Sequence, residues 1–126
     1  MLIPGACVRL PLMRHLSIVI ALDESRHALG PGMMELLQGI RQHGSIRKAG
    51  SEMAMSYRKC WLLLKNMEQT FGKPVVATST GGKTGGGATL TPLGAEVLKR
   101  YCNIEKLAMR AAASDLKSLK ALSRRS

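Results

Sequence analysis

Two serines, Ser45 and Ser56, each stand at the head of a stretch with helical spacing, and only a short break separates the two stretches. This arrangement constrains the fold more than any other feature of the chain. A serine hydroxyl caps a helix by accepting a backbone N–H from its first turn. After Ser45, Ile46, Ala49 and Met53 fall on one helical face. The small Ala49 and Gly50 let another helix approach closely. After Ser56, Cys60, Leu64, Met67 and Phe71 recur at spacings of four, three and four, which predicts a helix to about Phe71, stopped by Gly72-Lys73-Pro74. The break at Ala54-Met55 leaves room for a tight turn only. Two short helices joined in this way form a helix-turn-helix.

The flanking segments complete the pattern. Leu16, Ile18, Ile20 and Leu22 alternate and predict a half-buried strand over Leu16–Leu22, followed by a loop from Asp23 to Gly30. Pro31 suits a helix start because its missing N–H is not needed there. Met33, Leu36, Leu37 and Ile40 follow at helical spacing, and Gly44 ends that helix. Val75 to Thr80 and Ala88-Thr89-Leu90 predict two strands, joined across a tip with five glycines in the seven residues 81–87. Thr91-Pro92 opens a last helix to about Leu122. On it Val97, Tyr101, Ile104, Ala108 and Ala111 form a coiled-coil-like stripe, longer than this core needs.

The fold class expected is therefore mainly α with a small β-sheet: a winged helix-turn-helix with an N-terminal strand, a three-helix core, a hairpin wing and a long C-terminal helix. Residues 1–14 are expected to be a loosely ordered tail, 15–122 the winged domain and 123–126 a basic tail. The last helix, about 92–122, is the expected dimerisation element of a two-fold homodimer, through Val97, Tyr101, Ile104 and Ala108.

Charge narrows the partners. The chain of 126 residues carries a net charge of +11, of which residues 45–73 supply +4 and residues 92–126 supply +5. Such a field attracts polyanions. The predicted third helix turns Tyr57, Arg58, Lys59, Leu62, Lys65 and Gln69 outward. A basic helix fits the major groove of DNA, where arginine and lysine donate to guanine O6 and N7. Ser56 with Tyr57 at the start of the third helix can hold phosphate, and Ser45, Arg47 and Lys48 at the start of the second are further candidate DNA-binding residues. Lys83 and Thr84 in the glycine-rich tip can contact the backbone near the minor groove.

Other chemistry has little support. Gly82-Lys83-Thr84 resembles the end of a phosphate-binding loop, but Ala77 stands where that motif needs glycine, and no helix follows the threonine. His15, His27 and His43 sit in a tail, a loop and a helix end, with no plausible catalytic Cys, Ser or carboxylate partner in sequence. Asp23 and Glu24 read as loop carboxylates. No catalytic residue, metal cluster or cofactor is expected. Cys7, Cys60 and Cys102 are odd in number and far apart, which suggests no disulfide framework and a reducing compartment. No apolar run is long enough to span a membrane, and Pro4 and Pro11 interrupt the only stretch resembling an export signal. A cytoplasmic location is expected. The competing readings are a structural or RNA-associated basic protein without base readout, and a small nucleotide-dependent enzyme.

Several motifs together resemble the N-terminal domain of ModE-type molybdate-responsive regulators, itself similar to the LysR-type winged helix. They are Leu29-Gly30-Pro31-Gly32, Gly44-Ser45-Ile46, Met55-Ser56-Tyr57-Arg58-Lys59-Cys60-Trp61, Phe71-Gly72-Lys73-Pro74-Val75-Val76, the Thr80-Gly81-Gly82-Lys83 tip, and Leu90-Thr91-Pro92-Leu93-Gly94. The resemblance runs from Leu16 to about Leu107. It implies a dimeric transcription regulator that contacts DNA through Ser56, Tyr57, Arg58, Lys59, Lys65 and the Lys83 wing. Trp61 matches a tryptophan typical of the family, for which core packing and DNA contact are both open. Three residues depart from the pattern: Gly50 where alanine is usual, Ala54 where glycine is usual, and Cys60 where alanine is usual. Full-length relatives carry molybdate-binding modules after the DNA-binding part. None follows here before Ser126, so molybdate is not expected to bind this chain directly, and the link to molybdenum-related genes is by resemblance only.

Overall fold

Local chemistry places nearly every helix boundary in the computed structural model, which describes residues 16–23, 27–80 and 86–123. Helix α1 (Pro31–His43) starts on its proline and ends at Gly44, whose φ of 68° is left-handed. Helix α2 (Ile46–Glu52) starts at Ser45, whose hydroxyl accepts from the backbone N–H of Lys48 at 3.1 Å. Helix α3 (Tyr57–Phe71) starts at Ser56, whose hydroxyl accepts from Lys59 N–H at 3.1 Å, and ends at Gly72 with φ 75°. Helix α4 (Pro92–Leu122) starts at Thr91, whose hydroxyl accepts from Gly94 N–H at 3.0 Å. Each cap satisfies an N–H that the helix itself leaves unpaired.

The turn between α2 and α3 is closed by backbone bonds. Met55 N–H donates to Gly50 at 2.8 Å and Ala54 N–H to Ser51 at 3.1 Å. Ala54 takes a φ of 54°, the left-handed region that favours glycine. Alanine is therefore strained here.

The β structure forms two separate antiparallel pairs. Strands β1 (Ile20–Ala21) and β2 (Ala28–Leu29) pair Ile20 with Leu29 and Ala21 with Ala28. Strands β3 (Val76–Thr80) and β4 (Gly86–Leu90) form the wing, from Val76 opposite Leu90 to Thr80 opposite Gly86. The first pair corrects the seven-residue strand expected over Leu16–Leu22, and places a strand within the expected 23–30 loop. Alternation persists, with Ile18 and Ile20 packed on the core and Val19 exposed. However, a ladder extends only as far as its partner. The partner here ends at Leu29, because Pro31 has no N–H to donate and already begins α1.

The core lies where α1, α2, α3 and the first part of α4 meet. Met34, Leu36, Leu37, Ile40, Met67, Leu98 and Tyr101 are among its largest buried side chains. Two close approaches depend on small residues. A β-carbon on Gly39 of α1 would lie 2.9 Å from that of Ala49, and one on Gly94 would overlap the Val75 carbonyl. The wing is tied down from the middle of β4 and from Thr91 just after it. Ala88 N–H donates to Gly44 at 2.9 Å, Thr91 N–H to Val75 at 3.0 Å, and the Thr91 hydroxyl to Pro74 at 2.9 Å. Cys60 is a buried free thiol. Cys102 is disulfide-bonded, which departs from the unpaired cysteines expected.

Candidate nucleic-acid interface

The inward side of α3, Cys60, Leu64 and Met67, is buried against the core, so the opposite side has to face out. Arg58, Lys59 and Lys65 are all exposed there, as are Arg47 and Lys48 on α2. Among the described residues the ion pairs are His27–Asp23 and Arg100–Glu96. None of the five cations on α2 and α3 takes part in either, so their charge is available to an external anion.

A cleft separates this helix pair from the wing. Ser45, Ile46, Arg47, Tyr57 and Trp61 line one side, and Thr78, Ser79, Thr80, Gly86 and Gly87 are among those lining the other. Three side chains stack along the helical wall. The guanidinium carbon of Arg47 lies 4.3 Å from the centre of the Tyr57 ring. The Tyr57 and Trp61 rings meet edge to face, with centroids 6.1 Å apart and planes at 84°. Tyr57 and Trp61 are each 42 % exposed, so Trp61 is a wall of the cleft and not a core residue. The quadrupole of the Tyr57 ring attracts the cation above it and holds Arg47 in place without neutralising it.

The structure therefore brings together Ser45, Arg47, Ser56, Tyr57, Arg58 and Lys59 at the paired starts of α2 and α3. Lys48 lies on the exposed side of α2, and Lys65 stands two turns further along α3. Lys83 and Thr84, expected at the wing tip, lie outside the described residues. Residue spacing missed Thr78, Ser79 and Thr80 as cleft residues. Their only sequence signal was strand propensity, which does not say what a strand will face.

The expected dimer stripe is not one surface. Val97 and Tyr101 belong to the chain's own core, at 7 % and 1 % exposure, and the Tyr101 hydroxyl donates to the Ile18 carbonyl at 2.6 Å. They are corrected to packing residues. Ile104 is 44 % exposed and Ala108 half-buried. Beyond Cys102 no residue of α4 is buried, and Leu107, Leu119 and Leu122 are exposed. No helix among the described residues is long and apolar enough to cross a membrane.

Residues 32–95 match the lysR family of bacterial regulatory helix-turn-helix proteins, a span that holds α2, α3 and both strands of the wing. The chain belongs to this family. Its relatives include the molybdenum-pterin-binding protein MopB of Rhodobacter capsulatus, 35 % identical over 100 residues, which cover 79 % of this chain and 37 % of MopB. The molybdenum transport protein ModE of Herbaspirillum seropedicae is 36 % identical over 80 residues, 64 % of this chain and 30 % of that protein. The DNA-binding transcriptional dual regulator ModE of Escherichia coli K12 is 32 % identical over 81 residues, 64 % of this chain and 31 % of its own length. The chain thus spans about a third of the length of the curated relatives it matches.

Proposed function

We propose that this LysR-type protein binds double-stranded DNA sequence-specifically as a homodimer and regulates molybdenum-related genes. The observation that carries the reading is the capped start of α3. There Arg58 and Lys59 stand exposed and outside the ion pairs among the described residues, next to Tyr57 on the wall of the wing cleft. Such a helix reads base edges in the major groove, while Arg47 and the hydroxyls of Ser45, Thr78 and Ser79 suit a phosphate backbone passing through the cleft. The molybdenum connection comes from the names of the relatives. Genomic DNA as the target places the protein in the cytoplasm.

The dimer uses the later part of α4, with Ile104 and Ala108 joined by Leu107 and the later leucines, because exposed apolar side chains gain by pairing. Two-fold symmetry matches an inverted repeat with half-sites about one or more helical turns apart. Molybdate is not a ligand of this unit: Ser45 and Tyr57, at the starts of α2 and α3, line the cleft proposed for DNA. Calorimetry with molybdate, and sulfate as the control anion, checks this; micromolar, molybdate-selective heat contradicts it.

Selection of bound duplexes from a random pool tests the main reading, followed by a salt titration of the winner. A dimer that neutralises about six to ten phosphates loses roughly 10³–10⁵ in affinity between 50 and 200 mM salt. Recovery of no preferred sequence, or a flat salt response, contradicts the reading. Sedimentation as a monomer at micromolar concentration contradicts the dimer.

A further inference from the structure

The strip of α3 that points away from the core carries a leucine in its middle. An α-helix turns about 100° per residue, so the buried Cys60, Leu64 and Met67 share one side and Leu62 stands opposite them. Leu62 is 56 % exposed. Arg58 lies one turn before it on the same strip, with Lys65 one turn and Gln69 two turns after it, and all three are exposed. Tyr57 and Trp61 lie to one side, on the wall of the wing cleft.

A lone exposed leucine is ordinary on a protein surface. Here it occupies the centre of a basic face whose cations draw a polyanion onto it. The major groove presents mostly hydrogen-bonding groups to such a helix, and leucine can satisfy none of them. It also presents one apolar group, the C5-methyl of thymine, which apolar side chains recognise by contact. We infer that Leu62 reads a thymine methyl group, so that each half-site of the operator carries thymine opposite Leu62. The inference rests on the DNA-binding reading and adds the base and the residue that recognises it. Arg58 and Lys65, a turn away on either side, then donate to the neighbouring purine edges or phosphates.

The test replaces thymine by deoxyuridine, one position at a time, in a duplex selected by the protein; only the methyl group is lost. At one position in each half-site the affinity should fall about three- to fivefold, the effect of losing one buried methylene-sized contact. Leu62→Ala should bind thymine and deoxyuridine equally at that position, whereas Leu62→Met, which keeps an apolar tip, should still distinguish them. Unchanged thermal melting of both variants shows that the helix is intact. Tight binding indifferent to deoxyuridine at every position overturns the inference and leaves the DNA-binding reading standing. The same sensitivity in Leu62→Ala overturns it too, since another residue or the DNA shape then senses the methyl. A change of sedimentation in Leu62→Ala means that protein, not DNA, covers this face, and also overturns it. Failure to bind any duplex removes the DNA-binding reading itself, and the inference with it.

Discussion

A β-carbon added to Gly50 would lie 2.5 Å from the sulfur of Cys60 and 3.0 Å from the Met55 carbonyl oxygen. Gly50 and Cys60 thus meet in one contact. The larger side chain on α3 fills the space that the missing methyl leaves on α2. Gly50→Ala should therefore cost about 1–3 kcal/mol through overpacking. Adding Cys60→Ala should recover most of that loss, helped by about 1 kcal/mol of helix propensity at position 50. Urea denaturation of the four proteins of the cycle measures the coupling. Simple additivity means that the two residues do not compete for space.

The turn offers the opposite case. Ala54, at φ 54°, adopts a conformation that costs a residue with a β-carbon roughly 1–2 kcal/mol. Glycine loses part of that gain to the entropy of the unfolded chain. Ala54→Gly should raise stability by up to about 1 kcal/mol, seen as a higher urea midpoint at unchanged slope. A destabilised variant contradicts the account of the turn.

Tyr101 ties α4 to the N-terminal segment through Ile18. Tyr101→Phe leaves that carbonyl without its donor and should cost about 0.5–1.5 kcal/mol. Amide exchange in residues 18–22 should quicken more than exchange in α3. The oligomeric state should not change, because Tyr101 is 1 % exposed within a single chain. A shift in sedimentation means that it belongs to the dimer surface after all.

Burial pushes the Cys60 thiol above its ordinary value, so the folded protein disfavours the thiolate. The folded pKa exceeds the unfolded one, near 8.5. The contribution to stability is whole below that pH and is lost as pH rises through the folded pKa. Wild type should lose more stability above about pH 8.5 than Cys60→Ala does. Peptide mapping should also find Cys60 unalkylated until the protein unfolds. Parallel pH profiles contradict this.

Arg58 and Lys83 should fail differently. Arg58 stands in the first turn of α3; if that turn enters the major groove as proposed, replacing it by alanine should relax sequence preference by about 1–3 kcal/mol of discrimination. A wing lysine contacts backbone, so Lys83→Ala should weaken all sequences alike and lower the salt slope by about 1. Binding to a panel of single-base variants distinguishes them, and reversed results mean that the roles are exchanged.

Helix boundaries were legible in the sequence because they depend on neighbours in the chain. Ser45, Ser56 and Thr91 each cap a helix three residues upstream of the N–H they accept, and Gly44 and Gly72 end helices through their own backbone freedom. The basic outward side of α3 followed from the same periodicity that predicted its buried side. Periodicity says that a face is apolar, but not what covers it. Val97 and Tyr101 share a stripe with Ile104 and Ala108, yet the core takes the first two and leaves Ile104 exposed and Ala108 half-buried. The first strand was overdrawn for a related reason: alternation marks residues able to pair, whereas ladder length depends on a partner that Pro31 cuts short. Arg47 over Tyr57, and Gly50 against Cys60, are contacts across the turn between residues ten apart. Local propensity acts over a helical turn or less, and only the packing of one helix on another could bring those pairs together.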